Sequence, residues 1–289
     1  MTGRPVSIRD SRLASLADER PATTFFAFAL GISWTLWLPL SLQSSVSKLH
    51  IIPGGFGPAI AAVALTWLRG ESVRAWLHDG LDWRVSKRWY AVALGLPVLA
   101  SVVMGGIFVF VTGDFAADRI TRYVPMYPIM LVFMVVMGGG QEEFGWRGVA
   151  LPALQDRFDA LTSSVVIGVV WAAWHLPLFV LEIGSYGDQP FPLYAILVVG
   201  FAIIFTWLFN NTDGSILLAM VLHGGINTAS GLGGAFVSNL SGAGIPVLGA
   251  YAVPIWLIAG AIVIHYGRQT LTAGSTVPAF ETDRRERSV

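Results

Sequence analysis

The chain has 289 residues, of which 54% are hydrophobic and only 12% charged, with a mean hydropathy of +0.65. A water-soluble domain carries about twice that charged fraction, so the composition is that of a membrane protein. Eighteen basic and eighteen acidic residues cancel, which removes any case for a nucleic-acid partner, and the lack of cysteine excludes disulfides, thiolate metal sites and cysteine nucleophiles.

A bilayer core about 30 Å thick needs roughly 20 apolar residues of helix. Eight stretches meet that length, at approximately 21–42, 51–68, 89–112, 124–155, 161–181, 192–209, 215–236 and 245–266. The fourth is unusual, because its apolar half ends at Gly138-Gly139-Gly140 and charges follow. Before the first span lies a polar leader, 1–20, with Arg4, Arg9, Arg12 and Arg20; no small-residue cleavage site follows, so an uncleaved first span is expected rather than a signal peptide. The polar tail, 267–289, is expected to be disordered.

Loop charges test the parse, since cytoplasmic loops concentrate Arg and Lys. With the N-terminus inside, the inner segments carry four, five, two, none and four basic residues, fifteen in all, against Lys48, Arg119 and Arg122 outside. Both termini are therefore expected in the cytoplasm, with the chain a multi-pass protein of a bacterial inner membrane. The expected fold is all-α, with about eight transmembrane helices.

Ionisable groups inside a span are expensive, and each is a functional-site hypothesis by default. Among the acidic residues only Glu142 and Glu143 fall within a span, and among the histidines only His175 and His223 do so clearly. Glu143 and Arg147 are four apart with the acid N-terminal, the favourable order for an ion pair on one helix face. Glu142 points about 100° away with no sequence-local cation, which makes it the candidate general base. The structural alternative is a buried ion-pair cluster that fixes helix packing beside small residues. His223 and Asn227 share one face of the seventh span, with Gly224 and Gly225 between them keeping the helix slim. Counted from the inner boundaries, Glu142, His175 and His223 all lie roughly 18 to 21 Å deep. Independent packing residues have no reason to share a level, so one site is expected.

A carboxylate with an imidazole can deprotonate water, and a second imidazole with an amide can hold a developing oxyanion. Zinc bound by Glu142, His175 and His223 is the other chemistry open to this set, three ligands plus water being a normal catalytic arrangement. No His-Glu-x-x-His signature is present, and no serine elbow accompanies the cluster. A non-catalytic membrane scaffold or immunity protein, and an ion-coupled transporter, would also keep buried Glu and His; a transporter should show paired repeats with broken helices in both halves, and none is evident.

Glu142-Glu143-x-x-x-Arg147, Trp171-x-x-x-His175 and His223-x-x-x-Asn227, in this order on successive spans, resemble the three motifs of the CPBP family of CAAX proteases and bacteriocin-processing enzymes, also called Abi. Residues 138–230 hold the motif core of a domain spanning 21–266, and Gly55-Phe56-Gly57-Pro58 is similar to the family's second span. The resemblance implies an intramembrane endopeptidase in which Glu142 with His175 activates water, His223 and Asn227 hold the oxyanion, and Glu143, Arg147 and Trp171 support them. It implies no required cofactor, with zinc as the competing possibility, and a membrane-embedded or lipidated peptide as substrate. Trp171 stands where the family usually has Phe, which bears on cavity shape and hence on substrate preference.

Overall fold

The computed structural model describes residues 12–43, 45–183, 186–187, 189–239, 246–274 and 276–278. Among the described residues the architecture is all-helical. A short helix α1 (Arg12–Glu19) precedes α2 (Pro21–Trp37), whose first position is the proline that helix starts favour. A 3-10 turn leads to α3 (Ile52–Gly55) and α4 (Gly57–Leu68); α5 (Val73–Gly80) is capped by the Ser72 hydroxyl, and α6 (Lys87–Thr112) stops at a left-handed Gly113. After α7 (Ala117–Tyr123) and α8 (Tyr127–Val136) come the short α9 (Glu143–Gly145), a π turn over Trp146–Ala150, and α10 (Leu151–Gln155). The remaining helices are α11 (Ala160–Trp174), α12 (Leu176–Val180), α13 (Phe191–Asn210), α14 (Ile216–Gly234) and α15 (Val247–Tyr266).

Among the described residues eight helical segments are long and apolar enough to cross a membrane, and their bounds agree with the sequence expectation to within a few residues except at the start of the fourth. That segment, Ala117–Gln155, is not one rod. It breaks after α8 at Gly138-Gly139, and the chain restarts as a 3-10 turn at Gly140–Glu142 before continuing through α9 and the π turn. On the perimeter, large apolar side chains such as Phe110 and Ile264 are almost fully exposed, as a lipid-facing surface requires.

The bundle is organised around α14, which packs along α6 and α8, while α11 lies on α13 and α2 on α4. These contacts depend on missing side chains. A Cβ on Gly224 would meet the backbone N of Val135 on α8 at 2.7 Å, and one on Gly168 would meet Cα of Val199 on α13 at the same distance. Without a hydrophobic drive between helices in lipid, such close backbone approach is the main source of association.

The tail differs from expectation at its start. Ala160 and Leu161 donate their N–H groups to the carbonyls of Gln269 and Arg268, and Asn210 and Asn211 donate side-chain N–H groups to the carbonyls of Thr270 and Leu271. Leu271 is fully buried. The reason is that the first N–H groups of α11 have no partner within the helix, and this stretch supplies carbonyls to them. Disorder is thus incorrect for 267–274; the expectation for 279–289 lies outside the described residues, as do residues 1–11 of the leader.

Gly224→Ala is expected to lower stability by about 1–3 kcal/mol through overpacking. Gly260→Ala, whose Cβ meets nothing within 4 Å on α15, is expected to be neutral or slightly stabilising. Thermal unfolding of both variants in detergent micelles checks the pair; equal midpoints would contradict the close-packing account.

Candidate active site

The site is assembled around the glycine break. Gly139 has φ of 134°, a conformation that only glycine adopts without strain. A Cβ there would also lie 2.5 Å from Nε2 of His223 and 2.6 Å from Nδ2 of Asn227. The backbone at Gly139 is therefore the point on which these two nitrogens converge. Gln141 secures the turn: its Oε1 accepts from the Gly139 N–H at 2.9 Å, and its Nε2 donates to the Gly55 carbonyl at 3.3 Å.

Glu143 and Arg147 form the ion pair expected from their spacing, at 2.9 Å with both side chains fully buried. The second oxygen of Glu143 has another partner: its Oε1 lies 2.6 Å from Nδ1 of His223. Arg147 is sandwiched on its other faces, with Cζ 4.2 Å from the Phe205 ring centroid and 5.1 Å from that of Trp171. Cation–π contacts thus replace the hydrogen bonds that water would give the guanidinium.

Glu142 takes no part in that pair. Its Oε2 accepts from the indole N–H of Trp171 at 2.9 Å and of Trp146 at 3.3 Å. His175 closes α11 and donates from Nδ1 to the Trp171 carbonyl at 2.9 Å, which leaves its Nε2 available. Asn227 donates to the Gly138 carbonyl at 2.6 Å with one amide hydrogen, and its second remains.

Glu142, His175, His223, Asn227 and Trp171 all line one cavity of about 510 Å³. The shared depth inferred from sequence corresponds to this common wall. The rest of the lining is largely apolar, including Leu49, Ile51, Phe133, Met134 and Phe201. Tyr194 and Tyr186 cover His175, with ring centroids at 5.2 and 5.8 Å. Burial, and next the charge of Glu142, push the Tyr186 phenol up, so it stays a neutral hydrogen-bonding group. Among the described residues no three His, Asp or Glu side chains come together as a metal-holding group. Glu142, His175 and His223 line one cavity without forming such a set.

Residues 124–229 match the family model described as type II CAAX prenyl endopeptidase, Rce1-like. Over this region the chain is similar to the CAAX-protease family. CAAX prenyl protease 2 of Methanococcus maripaludis is 31% identical to it over 142 residues, covering 46% of this chain and 49% of that protein. The chain thus spans about half the length of this curated relative. The matched region contains all three motifs and the glycine break.

Sequence reasoning did not single out Trp146, Gln141 or Gly139 as individual residues of the site. A signal for Trp146 existed, since it follows Glu142 by four residues, the same spacing that pairs Glu143 with Arg147. No spacing rule announces Gly139, because its role depends on α14 lying opposite.

Arg147→Met is expected to cost about 3–5 kcal/mol, because it removes the guanidinium paired with the fully buried Glu143 carboxylate. In the double variant Glu143→Gln, Arg147→Met, the loss should be clearly smaller than the sum of the single losses. Unfolding midpoints for the four proteins of this cycle read the coupling, and simple additivity would count against the pair.

Proposed function

We propose that the chain is an intramembrane endopeptidase that hydrolyses a peptide bond in a membrane-associated or lipidated peptide, using water activated by Glu142 and His175. The observation that carries this reading is the single cavity lined by Glu142, His175, His223 and Asn227, with Oε1 of Glu142 uncommitted among the described residues. Water in this cavity gives a proton to Glu142, assisted by His175 Nε2, and its oxygen attacks the peptide carbonyl carbon. The oxyanion forms beside Gly139, where Asn227 Nδ2 and His223 Nε2 converge and donate to it. Collapse breaks the C–N bond; the proton taken by Glu142 passes to the leaving nitrogen, and the products are a carboxyl and an amine.

His223 can donate from Nε2 only if both ring nitrogens carry protons, because Nδ1 already serves Glu143, whose carboxylate accepts. In that state the charges of Glu142, Glu143, Arg147 and His223 sum to zero, which suits a cluster buried in an apolar bundle. The substrate class is supported by the apolar remainder of the cavity wall and by a relative named as a prenyl protease. An orientation with both termini inside is supported by the loop-charge asymmetry, which remains fourteen to three after the buried Arg147 is removed from the count.

Reconstituted protein and a membrane-tethered reporter peptide provide the test. Glu142→Gln is expected to abolish cleavage, Asn227→Ala to lower kcat by about 10²–10³ with KM little changed, and chelators to have no effect. Cleavage that survives Glu142→Gln would remove the general base. Activity lost on chelation and restored by zinc would replace the metal-free mechanism with the zinc one.

A further inference from the structure

Trp171 touches both members of the water-activating pair. Its indole N–H donates to Oε2 of Glu142 at 2.9 Å, and its backbone carbonyl accepts from Nδ1 of His175 at 2.9 Å. The second contact follows from helix geometry, the two residues being four apart at the end of α11. The first crosses from α11 to the turn at Gly140–Glu142. Trp146, itself fully buried, sends a second indole N–H to the same oxygen. No described residue donates to Oε1 of Glu142. The asymmetry is chemically specific: one carboxylate oxygen is held by two donors, while the other, on a side chain that lines the cavity, has none among the described residues.

We propose that Trp171 is a positioning residue for hydrolysis, which with Trp146 clamps Oε2 of Glu142 so that Oε1 is presented to the substrate water, while its own carbonyl fixes the His175 ring with Nε2 toward the same water. The inference rests on the proposed protease function and deepens it. A carboxylate free to rotate about its last side-chain bond exchanges its two oxygens; two N–H donors on one oxygen remove that freedom before substrate arrives, and preorganisation of this kind raises the rate of the chemical step. The ring is itself held in place, edge-on to Phe205 at 5.9 Å and to His223 at 5.2 Å and beneath the Arg147 guanidinium. Its N–H is therefore aimed by packing. Phenylalanine at this position would keep an aromatic wall and lose the donor.

The test replaces Trp171 with benzothienylalanine, which has the indole shape with sulfur in place of N–H. Trp171→Phe serves as the second variant should the first fold poorly. Two readouts are needed. Infrared difference spectra, each protein against its own Glu142→Gln form, isolate the Glu142 carboxyl band, which is expected to shift when the donor is lost. On the reporter peptide, kcat is expected to fall about tenfold or more with KM within about twofold. An unmoved band would overturn the contact, and a shifted band with unchanged kcat would overturn the positioning role. Full cleavage by Glu142→Gln itself would bring down the function of Glu142 and this clamp with it, an outcome visible before any change at Trp171.

Discussion

A carboxylate buried in an apolar bundle must be matched, and Glu143 is matched twice. One oxygen meets Arg147 at 2.9 Å and the other meets Nδ1 of His223 at 2.6 Å. These contacts join the broken fourth span to α14, and Arg147 stacks in turn on Trp171 of α11 and Phe205 of α13. A single anion thus ties together the helices that carry the three motifs. Burying such a group unpaired costs many kcal/mol, so conformations in which these helices drift apart are strongly disfavoured. The same interaction leaves Glu142, one residue earlier, free of the cation. Adjacent carboxylates in one segment thereby take different partners.

The glycines make the remaining space. Gly224 lets α8 lie against α14, and Gly139 lets the chain pass close to His223 and Asn227. After the break the chain restarts as a 3-10 turn, passes through α9 and enters a π turn before α10. π turns inserted in helices recur at functional sites because they shift side chains by one position relative to their neighbours. Here the shift is compatible with both i,i+4 contacts of the segment, Glu143 with Arg147 and Glu142 with Trp146.

Much of this was legible in the sequence because the solvent is lipid. In an apolar span every charge is conspicuous, so Glu142, Glu143, Arg147, His175 and His223 could be listed and two of them paired by spacing alone. Equal depth then brought Glu142, His175 and His223 to one wall, where the cavity has them. The partner of His223 was not legible, because Glu143 and His223 are 80 residues apart and no local rule connects them. Nor were the two indole donors on Glu142, since tryptophan in a membrane span reads as bulk apolar surface until its N–H is seen to have a partner. The docking of 267–274 was missed for the opposite reason: a polar stretch reads as solvated, yet its backbone carbonyls are what the open end of α11 lacked.

The arrangement also bears on how the proposed hydrolysis can occur in a setting poor in water. The cavity lining sets Glu142, His175, His223 and Asn227 among largely apolar residues, so water entering it finds hydrogen-bond partners at Oε1 of Glu142, Nε2 of His175 and the free Asn227 hydrogen. An ordered water needs two to four polar partners, and the wall offers that number in one place. The low dielectric of the surroundings strengthens each of these interactions and equally penalises any charge left over when the oxyanion forms. In the proposed reaction, a cluster whose two carboxylates are balanced by a guanidinium and a doubly protonated imidazole would accept the proton on Glu142 and the negative charge at Gly139 as a transfer within the site, with no net charge created in the bilayer.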